Sequence, residues 1–201
     1  MSEFWEEAFK SKNQMWGWDP ANAALIASGI FHEAGYKKIL IPGIGYGRNA
    51  QPFVKEGMEV TGIEISETAI AIAKTRYGDS LKLYHGSVTE MPFDENRYDG
   101  IFAHALIHLL NEDERAKLIA DCYEQLHEGG MMIFTAITKE AVTYGQGKPV
   151  GPDRFEQFGG VRMFFYDGVS IQQEFGGYGL ASVEEVMENY PFHLIRCVKQ
   201  N

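Results

Sequence analysis

The stretch Ile39–Ala50, ILIPGIGYGRNA, decides how the rest of the chain is read. A short apolar run ends in three glycines at alternate positions, Gly43, Gly45 and Gly47, and polar residues that can open a helix follow. An apolar run of this length, punctuated by glycine, fits a strand buried on both faces. Glycines belong at its end where the backbone must turn tightly, or where another group must come closer than a Cβ allows. Gly43 suits the turn, Gly45 the approach of a ligand, and Gly47 the close packing of the next helix on its strand. The spacing is G-x-G-x-G, not the G-x-G-x-x-G of dinucleotide sites. A tight strand-to-helix turn without a ligand is the plain alternative.

Working outward, strands and helices alternate. KKILIP (37–42) reads as the first strand and NAQPFVKEG (49–57) as a helix, with Pro52 tolerated in its first turn. MEVTGIEI (58–65) is the second strand, and Ser66 caps a helix that Gly78 ends. LKLYHG (81–86) and YDGIFAHA (98–105) are the third and fourth strands. Asn111 with Glu114 has the capping-box pattern, opening a helix read to Gly130, and MMIFTAI (131–137) is the fifth strand. Residues 180–200 read as two strands around Tyr190-Pro191. The alternation predicts an α/β fold with a parallel sheet and an antiparallel hairpin at one edge. The whole chain, 1–201, reads as one domain. It has an N-terminal helical and aromatic segment (1–36) and a glycine- and aromatic-rich connection (138–168) of the length used for lids, substrate walls or plain loops.

In open parallel sheets, ligands bind at the carboxyl ends of the strands. The second strand ends in Glu64, about twenty residues beyond the glycines, where a carboxylate can accept from both hydroxyls of a ribose. The third strand runs into GSVTEMPF, where Ser87, the Val88 N–H and an apolar turn can hold an adenine. Arg48 is the only basic candidate for a phosphate. Each feature also has a bland reading, Glu64 as a solvated acid among them.

Taken together, ILIPGIGYG, VTGIEIS, GSVTEMPFDENRYDGIFAHALIHLL and GGMMIF resemble the class I S-adenosylmethionine-dependent methyltransferases, in order and in approximate spacing. The resemblance implies a Rossmann-like seven-stranded sheet of order 3-2-1-4-5-7-6, strand 7 antiparallel, with helices on both faces. It implies S-adenosylmethionine as methyl donor and S-adenosylhomocysteine as product. Gly43, Ile44, Gly45, Tyr46 and Gly47 would face the methionine and ribose. Glu64 would hold the ribose, Ile65, Ser87 and Val88 the adenine, and Ala103 and His104 the methionine end. Ile41 stands where the family often has an acid, and Ser87 where it often has aspartate. The glycine loop without the acid, FWEEAF, WGWDP and GIEIS resemble the thiopurine and small-thiol branch. Tellurite-resistance-like methyltransferases are close rivals.

Methyl transfer from a sulfonium leaves little covalent work to the protein beyond positioning and exclusion of water. His104 and His108 are the titratable candidates beside the methyl, each with a structural alternative. Their spacing, with no third ligand in view, does not suggest a metal. Trp16, Trp18, Tyr144, Arg154 and Phe155, with Phe158, are the acceptor-contact candidates; aromatics favour a sulfonium and a dry pocket.

The net charge of −10 (18 basic, 28 acidic residues), with no basic cluster, speaks against a nucleic-acid or anionic-membrane partner. No apolar run approaches a membrane span, and the N-terminus lacks a signal-peptide core, so the expected compartment is the cytoplasm. Cys122 and Cys197 are expected reduced and buried. The expected partner is a small-molecule acceptor, and oligomeric state is not legible. The competing readings are an adenosyl-ligand-binding protein without catalysis and a dinucleotide-dependent oxidoreductase.

Overall fold

Burial explains the central strands. In the computed structural model, which describes residues 2–12 and 16–200, β1 (Lys38–Pro42) has four consecutive buried residues. It pairs in parallel with β2 (Glu59–Glu64) on one side and β4 (Tyr98–Ala103) on the other. β3 (Leu81–His85) extends the sheet beyond β2, and β5 (Leu126–Ile137) beyond β4. After the short strands β6 (Lys148–Gly151), β7 (Arg154–Gln157) and β8 (Val161–Phe164), the hairpin β9 (Leu180–Met187) and β10 (Pro191–Val198) closes the edge. β10 runs antiparallel to both β5 and β9. The order is β3-β2-β1-β4-β5-β10-β9, the seven-stranded Rossmann-like arrangement expected.

Alternate residues of β1 face opposite sides, as a pleated strand requires. Ile39 and Ile41 join a cluster with Phe31 of α2 (Asn22–Glu33) and Phe53 of α3 (Gln51–Lys55). Leu40 joins the opposite cluster, with Leu118 and Ile119 of α5 (Glu112–Glu124) and Phe175 of α6 (Gly168–Phe175). α1 (Ser2–Lys12) and α4 (Glu67–Tyr77) complete the set.

The helix starts follow from their caps. Ser66 Oγ accepts from Ala69 N–H at 3.1 Å, and the Asn111/Glu114 capping box is fully formed. Asn111→Ala is expected to cost about 1 kcal/mol, measured by denaturant unfolding, because the Glu114 N–H loses its acceptor.

One local reading is corrected, and two elements are added. The helix read to Gly130 ends at Glu124, because Gly129 and Gly130 form an irregular start of β5 between Leu126 and Met131; a Cβ on Gly130 would stand 2.9 Å from the Asp99 carbonyl. The 138–168 connection carries an antiparallel meander, β6-β7-β8. Its turns use positive φ at Asp153 and Phe158, residues that do not announce such turns. α6 had no counterpart in the sequence reading, although Asp167 and Ser170 form a capping box.

Candidate active site

The carboxyl ends of β1, β2 and β4 open into a cleft of about 1490 Å³, roofed by α1 and walled at one end by the meander and the β9–β10 turn. That exceeds the usual size of a site for one small ligand.

On the floor lies the glycine turn. Gly43, Gly45 and Gly47 all have positive φ, 68°, 59° and 85°. The Gly43 and Ile44 N–H groups donate to the Ile63 carbonyl, and Gly45 N–H to Glu64. The turn therefore shows the cleft a surface low in side chains, not a ring of free donors. Ile44 and Tyr46 also line it. Gly47 does not: a Cβ there would meet the Tyr77 ring at 2.9 Å, so its role is to let α4 pack closely. Tyr46 is nearly fully buried, and its hydroxyl donates to the Gly17 carbonyl at 2.6 Å.

Glu64 is 6% exposed and lines the cleft. Oε1 accepts from the Ile65 and Ser66 N–H groups and Oε2 from Gly45 N–H, each at 2.9 Å. Burial raises its pKa above the ordinary carboxylate value, and the three N–H groups oppose that. Ile65 and Val88 stand beside it in the cleft. Ser87 also lines the cleft, but its hydroxyl is spent locally: it accepts from Thr89 N–H and pairs with the Thr89 hydroxyl at 2.7 Å.

Ala103 is fully buried in β4 and forms no part of the wall. The wall begins one residue on, with His104, Ala105 and Leu106. Ala105 takes φ 51°, a strained backbone that left no trace in the sequence. His104 lies between Phe102 and Phe192, both near-parallel at 6.0 Å. Its Nδ1 is 2.9 Å from the Thr135 hydroxyl. Burial first, then the charges of Arg48 and His108, lower its pKa to about 3. His108 lines the same wall; burial lowers it to about 3, and its Nδ1 has no partner among the described residues.

The roof is aromatic. Phe4, Trp5 and Phe9 of α1 reach the cleft with Trp16, which stacks on Tyr46 at 6.4 Å. α1 is latched by Glu6, which accepts from the Ser66 and Thr68 hydroxyls at 2.6 Å each; these bonds hold its carboxyl down to about 2. Arg48 Nη1 donates to the Trp16 and Asp19 carbonyls at 3.1 Å each, tying the roof segment to the floor.

The other acceptor candidates separate. Phe158 reaches the cleft beside Val161 and Met163. Trp18 does not; it packs under the Arg76 guanidinium at 3.9 Å and against Tyr46. Tyr144 and Phe155 pack on each other and on Phe165, which belongs to the core cluster on the Ile39 and Ile41 face of the sheet. Arg154 opens onto an adjoining pocket of about 410 Å³ and donates to the Leu110 carbonyl at 2.6 Å. Thr135, Ala105, Phe192 and Glu6 were not singled out in the sequence; nothing but the sheet register brings Thr135 under His104. Among the described residues, no three His, Cys, Asp or Glu side chains gather as metal ligands, and no helix is long and apolar enough to cross a membrane.

Residues 40–134 match the sequence profile of the family described as a methyltransferase domain. A protein of Geobacillus sp. (strain WCH70) named as a methyltransferase is 34% identical over 104 residues, 50% of this chain and 42% of that one. A second, named as an uncharacterized methyltransferase of the same strain, is 27% identical over 114 residues, 57% of this chain and 53% of its own. The matched stretch thus spans about half the length of these relatives. Among solved structures, 1,6-didemethyltoxoflavin-N1-methyltransferase of Burkholderia thailandensis, with bound 1,6-didemethyltoxoflavin and S-adenosylhomocysteine, superposes with a TM-score of 0.78. It is 17% identical, over 100% of this chain and 87% of that chain.

Proposed function

We propose that this chain is an S-adenosylmethionine-dependent methyltransferase acting on a small-molecule acceptor. One observation carries the reading: the buried Glu64 carboxylate faces the cleft across the glycine turn, with three of its roughly four lone-pair positions filled by backbone N–H groups. The remaining capacity is available to a hydroxyl donor such as a ribose. Ile65 and Val88, which line the cleft beside Glu64, would meet the adenine, and the remaining N–H groups of Arg48 would meet a carboxylate at the methionine end. The aromatic roof suits a sulfonium by cation–π attraction. A pyrophosphate is poorly served here, because the amides of Gly43, Ile44 and Gly45 and the Arg48 Nη1 are already engaged.

The bound donor supplies an electrophilic methyl group to an in-line nucleophile. The chain's part is to orient, to exclude water and to leave the nucleophile reactive. Of the described carboxylates that line the cleft, Glu3, Glu7 and Asp19 are solvent-exposed, and the other three are engaged. Glu114 and Glu188 cap helices, and Glu64 is engaged as above. That favours an acceptor that ionises by itself, such as a thiol, a selenol or a metalloid, as in the thiol and tellurite branches.

The test is thermal unfolding with S-adenosylmethionine, S-adenosylhomocysteine and NADH in parallel. Stabilisation by the two adenosyl ligands alone is the expected result, and stabilisation by NADH alone overturns the proposal. Adenosyl binding without methyl transfer to any thiol, selenol or metalloid oxyanion supplied would leave the donor site standing and remove the acceptor assignment.

The pH dependence has a definite sign. A diol donates to ionised Glu64, so ligand stabilisation is lost as pH falls through the raised pKa of that residue. The ligand-free chain behaves oppositely at this group, because burial disfavours the charged form and protonation relieves it. The difference in Tm with and without S-adenosylhomocysteine is therefore expected to shrink as pH falls, with the loss beginning above the ordinary carboxylate range.

A further inference from the structure

Thr135 stands within β5, fully buried. Its hydroxyl has two neighbours among the described residues: Ala105 N–H donates to Oγ1 at 2.9 Å, and His104 Nδ1 lies 2.9 Å away. A hydroxyl has one hydrogen to give and lone pairs to receive. If Nδ1 carried the imidazole proton, Thr135 would accept twice, and its own hydrogen would have no acceptor where water does not reach. Buried donors are seldom left so. If the hydroxyl donates to Nδ1, every group is paired: Ala105 N–H to Oγ1, and O–H to Nδ1. A neutral imidazole keeps one proton, which then sits on Nε2. Nε2 has no hydrogen-bond partner among the described residues, and His104 lines the cleft. The same hydroxyl also holds the left-handed kink at Ala105, since it receives that residue's N–H. One buried threonine thus sets both the backbone that turns into the cleft and the ring beside it.

We infer that Thr135 fixes His104 as its Nε2–H tautomer, so that the cleft meets its ligand here with a hydrogen-bond donor and not with a base. Double protonation is closed off by burial and by the charge of Arg48. For the acceptor, a term that rests on the methyltransferase reading, the consequence is specific. His104 orients it through a lone-pair or anionic atom, and the acceptor's own proton is not taken by this ring. A thiolate or other electron-rich atom is matched, and an ammonium group is not. Thr135 is a positioning residue, acting through His104.

The test is long-range proton–nitrogen correlation NMR on ligand-free protein labelled with 15N-histidine at neutral pH, with His104→Gln used to identify the resonances. The expected pattern is an unprotonated Nδ1 and a protonated Nε2 for His104, retained in Thr135→Ser and shifted toward a tautomer mixture in Thr135→Val. A proton on Nδ1 in the wild-type chain overturns the inference, as does a Thr135→Val spectrum identical to wild type. The wild-type spectrum decides the tautomer even if Thr135→Val fails to fold. Because no ligand is present, these outcomes are independent of the thermal-shift test of the donor.

Discussion

Glu64→Ala is expected to abolish the stabilisation that S-adenosylhomocysteine gives the wild-type chain. A ligand at one hundred times its Kd stabilises by about 2.7 kcal/mol, a rise in Tm of roughly 5–11 °C at this size. The variant should show none of it, because the proposed acceptor for the ribose is gone. It also unfastens the floor: the Gly45, Ile65 and Ser66 N–H groups lose their common partner, so the ligand-free variant should melt below wild type. Glu64→Gln sharpens the test. Its carbonyl oxygen can serve Ile65 and Ser66, but its NH₂ must then face the Gly45 N–H, donor against donor. The glutamine variant should keep most of its fold and lose most of its ligand response. Full ligand stabilisation in either variant would remove Glu64 from the site.

Glu174→Ala is expected to be the most damaging single change to stability away from the cleft. Arg115 is 5% exposed, and its Nε and Nη2 donate to Glu174 at 3.0 and 2.7 Å. The Tyr166 hydroxyl donates to the same carboxylate at 2.6 Å, and the guanidinium lies 4.2 Å over the Phe164 ring. Removing the carboxylate strands a buried cation and a buried hydroxyl. Breaking one partner of such a pair costs about 3 kcal/mol or more, here roughly 6–12 °C in Tm. Replacing both partners with apolar residues, as in Arg115→Met with Glu174→Leu, should recover much of the loss, since no buried charge remains. A single variant as stable as wild type would show that water reaches this site.

The residues that carry local information were legible from the chain alone. Apolar runs ended by glycine mark β1 and its neighbours, because a strand buried on both faces has no polar alternation to hide it. Ser66 and the Asn111/Glu114 pair mark helix starts, because a side-chain cap is satisfied within three residues. The same locality let the turn at Gly43–Gly47 and the acid at Glu64 be paired as a candidate site. Where no local signal exists, the reading fell short. The positive φ at Ala105, Asp153 and Phe158 is held by distant partners or by turn closure, so the strands of the meander were not read. Among the aromatics, composition could not separate Trp16 and Phe158, which reach the cleft, from Trp18, Tyr144 and Phe155, which pack elsewhere.

The sequence by itself thus determined the sheet, its order through the resembling motifs, and the strand ends that form the candidate site. Periodicity and capping are short-range, and a parallel sheet converts them into one geometry. Only the tertiary structure decided which side chains share the cleft and in what chemical state. Register sets Thr135 beneath His104, and burial keeps that ring neutral. Packing also brings α1 over the floor through Glu6. Those contacts join residues 30 to 62 positions apart in the chain, a distance over which no spacing rule operates.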